Sequence, residues 1–124
     1  MKWHFESDRP IYIQIVERLK GDIIGEKYQS GEKFPTVRDL AQEAAVNPNT
    51  MQKALAELER QGFLESHRTA GRVVAANFEK IHIEREALAQ EKIQCFVEQM
   101  HQLGYTKEEM IALLKEDDHG IGRD

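Results

Sequence analysis

The stretch that decides the fold is Val46-Asn-Pro-Asn-Thr-Met-Gln-Lys-Ala-Leu55. Asn47 is a favourable helix N-cap because its side-chain oxygen can accept a hydrogen bond from a free backbone N–H. Pro48 suits the first helical position, where its missing N–H costs nothing. The apolar residues that follow have helical spacing and should face inward; they are Met51, Ala54, Leu55 and Leu58. This pattern predicts a helix that runs from Pro48 to about Gln61 and ends at Gly62.

Two helices are predicted before this stretch. Pro10 can occupy the first turn of one helix, and Gly25 is its stop. Thr36 can cap the other helix, and Asp39 adds favourable negative charge to its first turn. The apolar stripes consist of Tyr12, Ile15, Val16, Leu19 and Ile23 in the first helix and of Val37, Leu40, Ala41 and Ala44 in the second. Residues 28–35 lie between the helices and are interpreted as a loop, because they contain glycine and proline.

A short hairpin is predicted after Gly62. Phe63-Leu-Glu-Ser-His67 and Arg72-Val-Val-Ala75 have the composition of short strands, and Arg68-Thr-Ala-Gly71 joins them as a basic tip. The order of elements is therefore helix, helix, tight turn, helix, strand, turn and strand. This order is typical of a winged helix-turn-helix, so the predicted fold class is mostly α with a small β-hairpin.

The last third of the chain has a different pattern. A long helix is predicted over residues 78–103, with Gly104 as its stop. Thr106 and Glu109 then form the signature of a capping box, which begins a final helix. The long helix carries a short heptad-like seam of Ala89, Ile93, Phe96, Met100 and Leu103, and the final helix carries Met110, Ile111, Leu113 and Leu114. The end of the chain, residues 117–122, is expected to fray.

Two helices joined by a short turn cannot bury both of their apolar faces against each other. Apolar area left in water costs about 25 cal/mol per Å², so we expect a second copy of the chain to cover the seam in an isologous homodimer. The alternative is that the tail folds back onto its own winged helix. The predicted organisation is a winged helix-turn-helix domain over residues 1–77, followed by a two-helix dimerisation tail over residues 78–124 that could also bind an effector.

The charge is distributed unevenly between these two parts. The chain has 17 Lys and Arg, 22 Asp and Glu, and a formal net charge of −5. Residues 1–77 contain 11 basic and 11 acidic side chains, whereas residues 78–124 contain 6 basic and 11 acidic side chains. The neutral front can approach a polyanion, and the acidic tail should stay away from phosphates.

The predicted motif suggests a double-stranded DNA partner. A helix-turn-helix presents the N-terminal residues of its second helix to base edges in the major groove. Asn and Gln can pair with adenine, Lys and Arg can reach guanine or phosphate, and a basic hairpin tip could enter the minor groove. The candidate DNA-binding residues converge on one edge of the motif; they are Thr36, Arg38, Asn47, Asn49, Thr50, Gln52, Lys53, Arg68, Thr69, Gly71 and Arg72.

Simpler interpretations exist for single members of this set. Residues with a purely structural or solvated interpretation are Thr36 and Asn47, as helix caps, and Gln52 and Lys53, as surface residues. Arg38 could pair with a nearby carboxylate such as Glu43. The DNA-binding prediction therefore rests on the convergence of the set and not on any one residue.

Several other classes of protein are disfavoured. No apolar run approaches the roughly 18 residues that span a bilayer, and the N-terminus lacks a signal-peptide core, so a cytoplasmic location is expected. Cys95 is the single cysteine and is interpreted as a packed small apolar residue. Because no catalytic or phosphate-binding motif is found, no enzyme activity, metal or cofactor is predicted, and any effector is unknown. Two alternatives stay open: a dimeric adaptor for protein partners, and a metal-dependent sensor that uses His82, His101 and a carboxylate.

The sequence resembles the GntR family of transcription regulators over residues 9–76. The segments that carry the resemblance are Pro10-Ile-Tyr-Ile-Gln-Ile15, Gly31-Glu-Lys-Phe-Pro-Thr-Val-Arg-Asp-Leu-Ala41, Val46-Asn-Pro-Asn-Thr-Met-Gln-Lys-Ala-Leu55 and Glu57-Leu-Glu-Arg-Gln-Gly-Phe-Leu64, followed by the hairpin. The resemblance implies that Arg38, the start of the third helix and residues 68–71 touch DNA. It also implies that dimers bind an inverted repeat, with repression as the expected outcome.

Two features qualify the resemblance. Many members carry arginines where this chain has Pro48 and Gln52, so their base preference should not be transferred. The Val46-Asn-Pro-Asn-Thr50 form resembles the YtrA-type branch, which has a short tail and whose members often lie beside genes for ATP-driven transporters. This likeness implies control of a transporter operon.

Overall fold

A computed structural model describes residues 3–75 and 78–116 of the chain. The helices are α1 (Ile11–Ile24), α2 (Val37–Ala44), α3 (Pro48–Arg60), α4 (Phe78–Gln102) and α5 (Lys107–Glu116), and the strands are β1 (Leu64–His67) and β2 (Gly71–Val74). This order confirms the predicted fold class. None of the described helices combines the length and the apolar content needed to span a bilayer. The fraying predicted for residues 117–122 lies outside the described residues.

The chain forms two compact units, which we call the winged-helix unit (Met1–Arg85) and the tail unit (Glu86–Asp124). The boundary inferred from the sequence lies after residue 77, and the units divide within α4. The first turns of α4 thus belong to the winged-helix unit, where Ile81 is buried and the Arg85 guanidinium donates to the carbonyl oxygen of Ile24 at 2.8 and 3.0 Å.

Side-chain caps begin α2 and α3 as the sequence predicts. Thr36 Oγ1 accepts a hydrogen bond from the backbone N–H of Asp39 at 3.1 Å, and Asn47 Oδ1 accepts one from the N–H of Asn49 at 2.7 Å. Between the two helices, Ala45 adopts the left-handed conformation with φ 60°. That conformation costs a residue other than glycine about 1–2 kcal/mol, so the packing of the helices on either side has to hold this tight turn.

The core of the winged-helix unit lies between α1, α3 and the hairpin. The four residues of α3 that were predicted to face inward are fully buried, as are Ile15 and Leu19 of α1 and Leu40 of α2. Phe63, Leu64 and Val74 complete the core from the hairpin. Because the four elements share these contacts, the core fixes the position of α3, the second helix of the motif.

The N-terminal segment contributes contacts that the sequence analysis did not predict. Trp3 is buried, and its indole N–H donates to Glu43 Oε2 at 3.2 Å. The Arg18 guanidinium carbon lies 4.3 Å from the centroid of the same ring. Gln14 is a buried polar side chain of α1, and its amide forms hydrogen bonds of 2.7–3.0 Å with the backbone before the helix. These contacts anchor the segment that precedes α1.

The hairpin is antiparallel, with Leu64 opposite Val74 and His67 opposite Gly71. The segment before α2 was interpreted as a loop, but part of it is extended and pairs with β2. Lys33 forms a bridge with Val73, and the N–H of Phe34 donates to the carbonyl of Arg72 at 2.9 Å. The bridge joins residues 40 positions apart in the chain, so a local pattern of glycine and proline could not predict it. The pairing ties the hairpin to the start of α2.

The tail unit confirms the predicted helix boundaries. Gly104 has φ +95° where α4 ends, a backbone conformation that favours glycine. Thr106 Oγ1 accepts from the N–H of Glu109 at 3.2 Å, and Glu109 Oε1 accepts from the N–H of Thr106 at 2.8 Å, which completes the capping box. Met110 is buried. The helices α4 and α5 leave an apolar groove of about 430 Å³ lined by Phe96, Met100, Met110, Leu113 and Leu114.

Most of the predicted seam is accessible in the single chain. Met100 is half-buried, and the exposed members are Ala89, Ile93, Phe96 and Leu103. Cys95 is exposed as well, so the prediction that it packs as a small apolar residue is wrong for the single chain. The reason is helical geometry, because successive residues are about 100° apart and Cys95 therefore points away from the stripe that contains Phe96.

Candidate nucleic-acid interface

Three parts of the winged-helix unit meet on one surface: the N-terminal ends of α2 and α3, and the hairpin. A groove of about 420 Å³ separates α2 from the hairpin, and its lining includes Thr36, Val37 and Gly71. A second groove of about 540 Å³ lies between α2 and α3, and its lining includes Val37, Arg38 and Pro48. Since Val37 borders both grooves, they are neighbours. Predicted DNA-binding residues from all three parts are thus brought together.

The N-terminal end of α3 presents polar side chains at this surface. Asn49 and Gln52 are exposed, and Thr50 is half-buried. Asn47 is also exposed, but its Oδ1 is used in the cap, which confirms the structural role expected for this residue. The unpaired N–H groups and the dipole of a helix N-terminus favour anionic groups such as phosphate. This end of α3 can therefore offer both hydrogen-bonding side chains and a positive electrostatic potential.

Arg38 has an unused guanidinium. It is exposed near the start of α2, and within residues 3–75 and 78–116 it has no ion pair or hydrogen bond. The pairing of Arg38 with Glu43 that the sequence allowed is not seen among the described residues, where the Glu43 carboxylate accepts the indole N–H of Trp3. An exposed arginine with no internal partner can bind phosphate or a guanine edge without breaking an existing contact.

Lys53 is held differently. Its Nζ lies 3.9 Å from the centroid of the Tyr12 ring, which is a cation–π geometry. Lys53 is exposed, as its interpretation as a solvated surface residue expects, but its ammonium group also contacts an aromatic ring. The ring of α1 restricts the ammonium group of α3 while leaving the side chain exposed.

The tip of the hairpin carries the predicted basic turn. Arg68 and Thr69 are exposed between the two strands, and Gly71 has φ +76° at the start of β2. A positive φ strains any residue with a Cβ, so glycine is the favourable residue for closing this turn. Arg68 is consequently carried at the tip of a short, defined projection.

Arg72 points back into the protein. Its Nε donates to Glu59 Oε1 at 3.0 Å, and its side chain is only 19% exposed. The other carboxylate oxygen of Glu59 accepts the Ser66 hydroxyl at 2.8 Å. The hydroxyl of Ser66 and the guanidinium of Arg72 lower the pKa of Glu59, in that order of importance, so the carboxylate is ionised at neutral pH. Arg72 Nη1 also contacts Gln52 Oε1 at 3.5 Å, near the limit of a hydrogen bond.

Glu59 is the residue at this surface that sequence reasoning missed. It lies 13 positions before Arg72, and no helical or strand periodicity relates the two. The signal that could have found it is the charge pattern, since a glutamate near the end of α3 precedes an arginine in the hairpin.

No group of three or more His, Cys, Asp or Glu side chains suited to a metal ion occurs among the described residues. A half-open cavity of about 520 Å³ lies beside the first turns of α4, and its lining includes Tyr28, His82 and Arg85. Burial, the largest cause, raises the pKa of Tyr28, so its phenol is neutral and can donate a hydrogen bond. Arg85 is already bonded to Ile24 and to Glu26. No effector is assigned to this cavity.

Comparison with known proteins agrees with this geometry. A family model described as "Bacterial regulatory proteins, gntR family" matches residues 11–74. The chain is 38% identical to the HTH-type transcriptional regulator YhcF of Bacillus subtilis, over 90% of this chain and 92% of that protein. It is 32% identical to the HTH-type transcriptional repressor YtrA of the same organism, over 89% of this chain and 85% of that protein.

Solved structures show the same likeness. A GntR family transcriptional regulator from Listeria monocytogenes aligns with a TM-score of 0.77 at 34% identity, over 90% of this chain and 98% of that one. The DNA-binding domain of AraR in complex with operator ORX1 aligns with a TM-score of 0.55 at 29% identity, over 60% of this chain and 95% of that one. The chain therefore belongs to the GntR family of bacterial regulatory proteins, and it is a transcription regulator with a DNA-binding winged-helix domain and not an enzyme.

Proposed function

We propose that this protein is a sequence-specific repressor that binds an inverted-repeat operator as a homodimer, with half-sites about one helical turn apart. The observation that carries the proposal is the single surface on which the start of α3, Arg38 and the hairpin tip meet. A major groove admits a helix, and the hairpin tip beside it can reach the adjacent minor groove. The AraR domain bound to its operator supports this mode of binding.

The candidate residues divide into three roles in this proposal. Asn49, Thr50 and Gln52 are placed to contact base edges from the first turns of α3. Arg38 and the helix termini bind phosphates, which position the protein without reading sequence. Arg68, with Thr69 beside it, contacts the minor groove from the hairpin tip. Thr36 and Gly71 shape this surface, since one caps α2 and the other closes the turn of the hairpin.

The homodimer is supported by the apolar surface of the tail unit. Phe96 and Leu103 are 38% and 72% exposed, and the groove between α4 and α5 is lined mainly by apolar side chains. A second copy can bury these groups in a symmetric interface, because each copy offers the same stripe. A twofold dimer then presents two α3 helices to the two halves of a palindrome.

Repression and the regulated genes rest on similarity. The relative YtrA is a transcriptional repressor, which supports repression by this chain. The resemblance to the YtrA-type branch supports a transporter operon as the target. A regulator that binds DNA has to act where the chromosome lies, which supports the cytoplasmic location expected from the sequence.

Selection of bound fragments from sheared genomic DNA of the source organism tests the proposal. We expect the intact chain to enrich a palindromic site beside transporter genes. Arg38→Ala should reduce this enrichment. Arg60→Ala is the matched control, because Arg60 pairs with Glu57 at the far end of α3 and should not face DNA. Absence of any enriched site would contradict the proposal. DNA binding that does not weaken steeply with salt concentration would indicate a protein-binding adaptor instead.

A further inference from the structure

One carboxylate connects α3 to both strands of the hairpin. Glu59 Oε2 accepts the hydroxyl of Ser66 on β1 at 2.8 Å, and Glu59 Oε1 accepts Nε of Arg72 on β2 at 3.0 Å. Ser66 and Arg72 are direct partners in the register of the hairpin. The carboxylate therefore holds one cross-strand pair from the side, through two separate oxygen atoms.

The outer half of the hairpin is the part that needs such an anchor, because the buried residues of the hairpin, Leu64, Val73 and Val74, lie at its base. Each strand has four residues, and an isolated two-stranded hairpin is at best marginally stable in water. Residues 31–34 support β2 through backbone pairing but are not paired with β1. Because the bonds to Glu59 are charge-assisted and partly shielded from solvent, they are stronger than neutral surface contacts.

The same contacts reach the start of α3. Arg72 Nη1 lies 3.5 Å from Gln52 Oε1. The guanidinium therefore extends from Glu59 to one of the residues that we propose contact base edges. Gln52 and Glu59 are seven residues apart, about two helical turns, which puts them on the same face of α3. The hairpin is thus fixed along this face by a guanidinium that points inward.

We propose that Glu59 and Arg72 form a clamp that positions the hairpin tip for DNA, and that both are positioning residues and not DNA contacts. This inference rests on the proposed DNA-binding function. With the clamp closed, Arg68 is held at a constant distance from α3, so the minor groove and the major groove are engaged together. With the clamp broken, the tip can bind only after it has been ordered, and its contribution to affinity falls.

Mutant cycles on the full-length protein and its selected operator test the clamp. The single variants are Glu59→Ala, Arg72→Met and Arg68→Ala, and Glu57→Ala is the matched control. Glu57 lies on the same helix, and among the described residues its side chain bonds only to Arg60 and Gln61, where α3 ends. We expect Glu59→Ala and Arg72→Met each to weaken operator binding about tenfold, and Glu57→Ala to change it less than about twofold.

The decisive measurement is the coupling. In the Glu59→Ala background, Arg72→Met and Arg68→Ala should each weaken binding by no more than about twofold, although each is costly in the wild-type background. A merely structural role of Glu59 would leave the effect of Arg68→Ala unchanged. Circular dichroism and urea unfolding establish that the variants are folded, and Ser66→Ala provides a milder lesion should Glu59→Ala fail to fold.

Each remaining outcome overturns one statement. Failure of the wild-type protein to bind any selected operator overturns the proposed function. Normal wild-type binding with Glu59→Ala equal to Glu57→Ala overturns the clamp alone. Independent, multiplying effects of Glu59→Ala and Arg72→Met would show that Arg72 contacts DNA itself. If Arg68→Ala does not change operator affinity in the wild-type background, the hairpin tip contributes nothing to DNA binding. The clamp would then have no function in positioning it.

Discussion

The winged-helix unit and the tail unit use apolar residues in opposite ways. In the winged-helix unit, the stripe of α3 and all of the α1 stripe except the half-buried Tyr12 are buried, and Leu55 and Leu58 are 0% exposed. In the tail unit, Met110 is the one large apolar side chain buried among the described residues, and the exposed ones are Ile93, Phe96, Leu103, Tyr105, Ile111, Leu113 and Leu114. The first unit closes its core with its own residues, whereas the second leaves its apolar stripe exposed in the single chain.

This difference assigns separate tasks to the two units. A closed core holds the groups that we propose contact DNA in constant positions, as a binding surface for base edges requires. An open apolar stripe gains free energy only when another surface covers it. We therefore expect lesions in the first unit to act on folding and DNA binding, and lesions in the second to act on association.

The largest effect is expected from a cavity in the closed core. Leu55→Ala should lower the free energy of unfolding by about 2–5 kcal/mol, because it removes buried methyl groups and leaves a void. Ile83→Ala is the control, since Ile83 is 61% exposed and should change stability by less than about 1 kcal/mol. Urea unfolding measures the free energy of unfolding of both variants. Equal effects of the two substitutions would mean that the core is not closed as described.

The second prediction concerns the exposed apolar stripe of the tail unit. Phe96→Asp places a charge in the proposed interface, where an unpaired buried carboxylate costs several kcal/mol, so the variant should sediment as a monomer. Gln90→Asp carries the same new charge about 100° from the centre of the stripe and should stay dimeric. Sedimentation velocity over a range of protein concentrations measures the oligomeric state of both variants. A Phe96→Asp variant that is still a dimer would remove the seam from the interface.

The comparison also shows which features the sequence could predict. The caps at Thr36 and Asn47 and the capping box at Thr106 depend on residues within three positions, so composition and spacing were sufficient. The buried faces of α1 and α3 follow from helical periodicity in the same way. These local features determine the fold class and the end of α3 that we propose faces DNA.

Contacts between distant residues could not be predicted. Lys33 pairs with Val73. The Glu43 carboxylate, which the sequence suggested as a partner of Arg38, accepts the indole N–H of Trp3. Which partner an arginine or a glutamate selects depends on the tertiary packing of several elements. The same limit hid Glu59, whose two partners lie on separate strands of the hairpin.

A third prediction concerns only the candidate DNA-binding surface of the winged-helix unit. Arg38→Ala should weaken operator binding by about 1–3 kcal/mol, because an exposed guanidinium with a base or phosphate contact is lost. Its urea unfolding should match the wild type, since no internal partner of Arg38 is removed. Fluorescence anisotropy with labelled operator measures the affinity. Binding that equals that of the Arg60→Ala control would place Arg38 outside the interface.

A fourth prediction compares equivalent caps in the two units. Thr36 and Thr106 each accept an N–H from the residue three positions on, at 3.1 and 3.2 Å. Replacement of either by alanine should cost about 1 kcal/mol. The loss from Thr36→Ala should be independent of protein concentration, whereas the loss from Thr106→Ala should grow on dilution, because α5 belongs to the unit that we propose forms the dimer. A concentration-independent loss for Thr106→Ala would argue that α5 contributes nothing to association.

The smallest effect is a pH dependence at the clamp. The pKa of Glu59 is lowered in the folded protein by Ser66 and then by Arg72, so its stabilising contribution is present above the usual glutamate range and is lost as pH falls through the folded value. Glu59→Gln should therefore be less stable than the wild type at pH 7, by no more than about 1 kcal/mol because the group is partly solvated. In urea unfolding, the difference between the two proteins should shrink steadily as the pH falls below the usual glutamate range. A difference that does not shrink with pH would mean that Glu59 acts through packing and not through its charge.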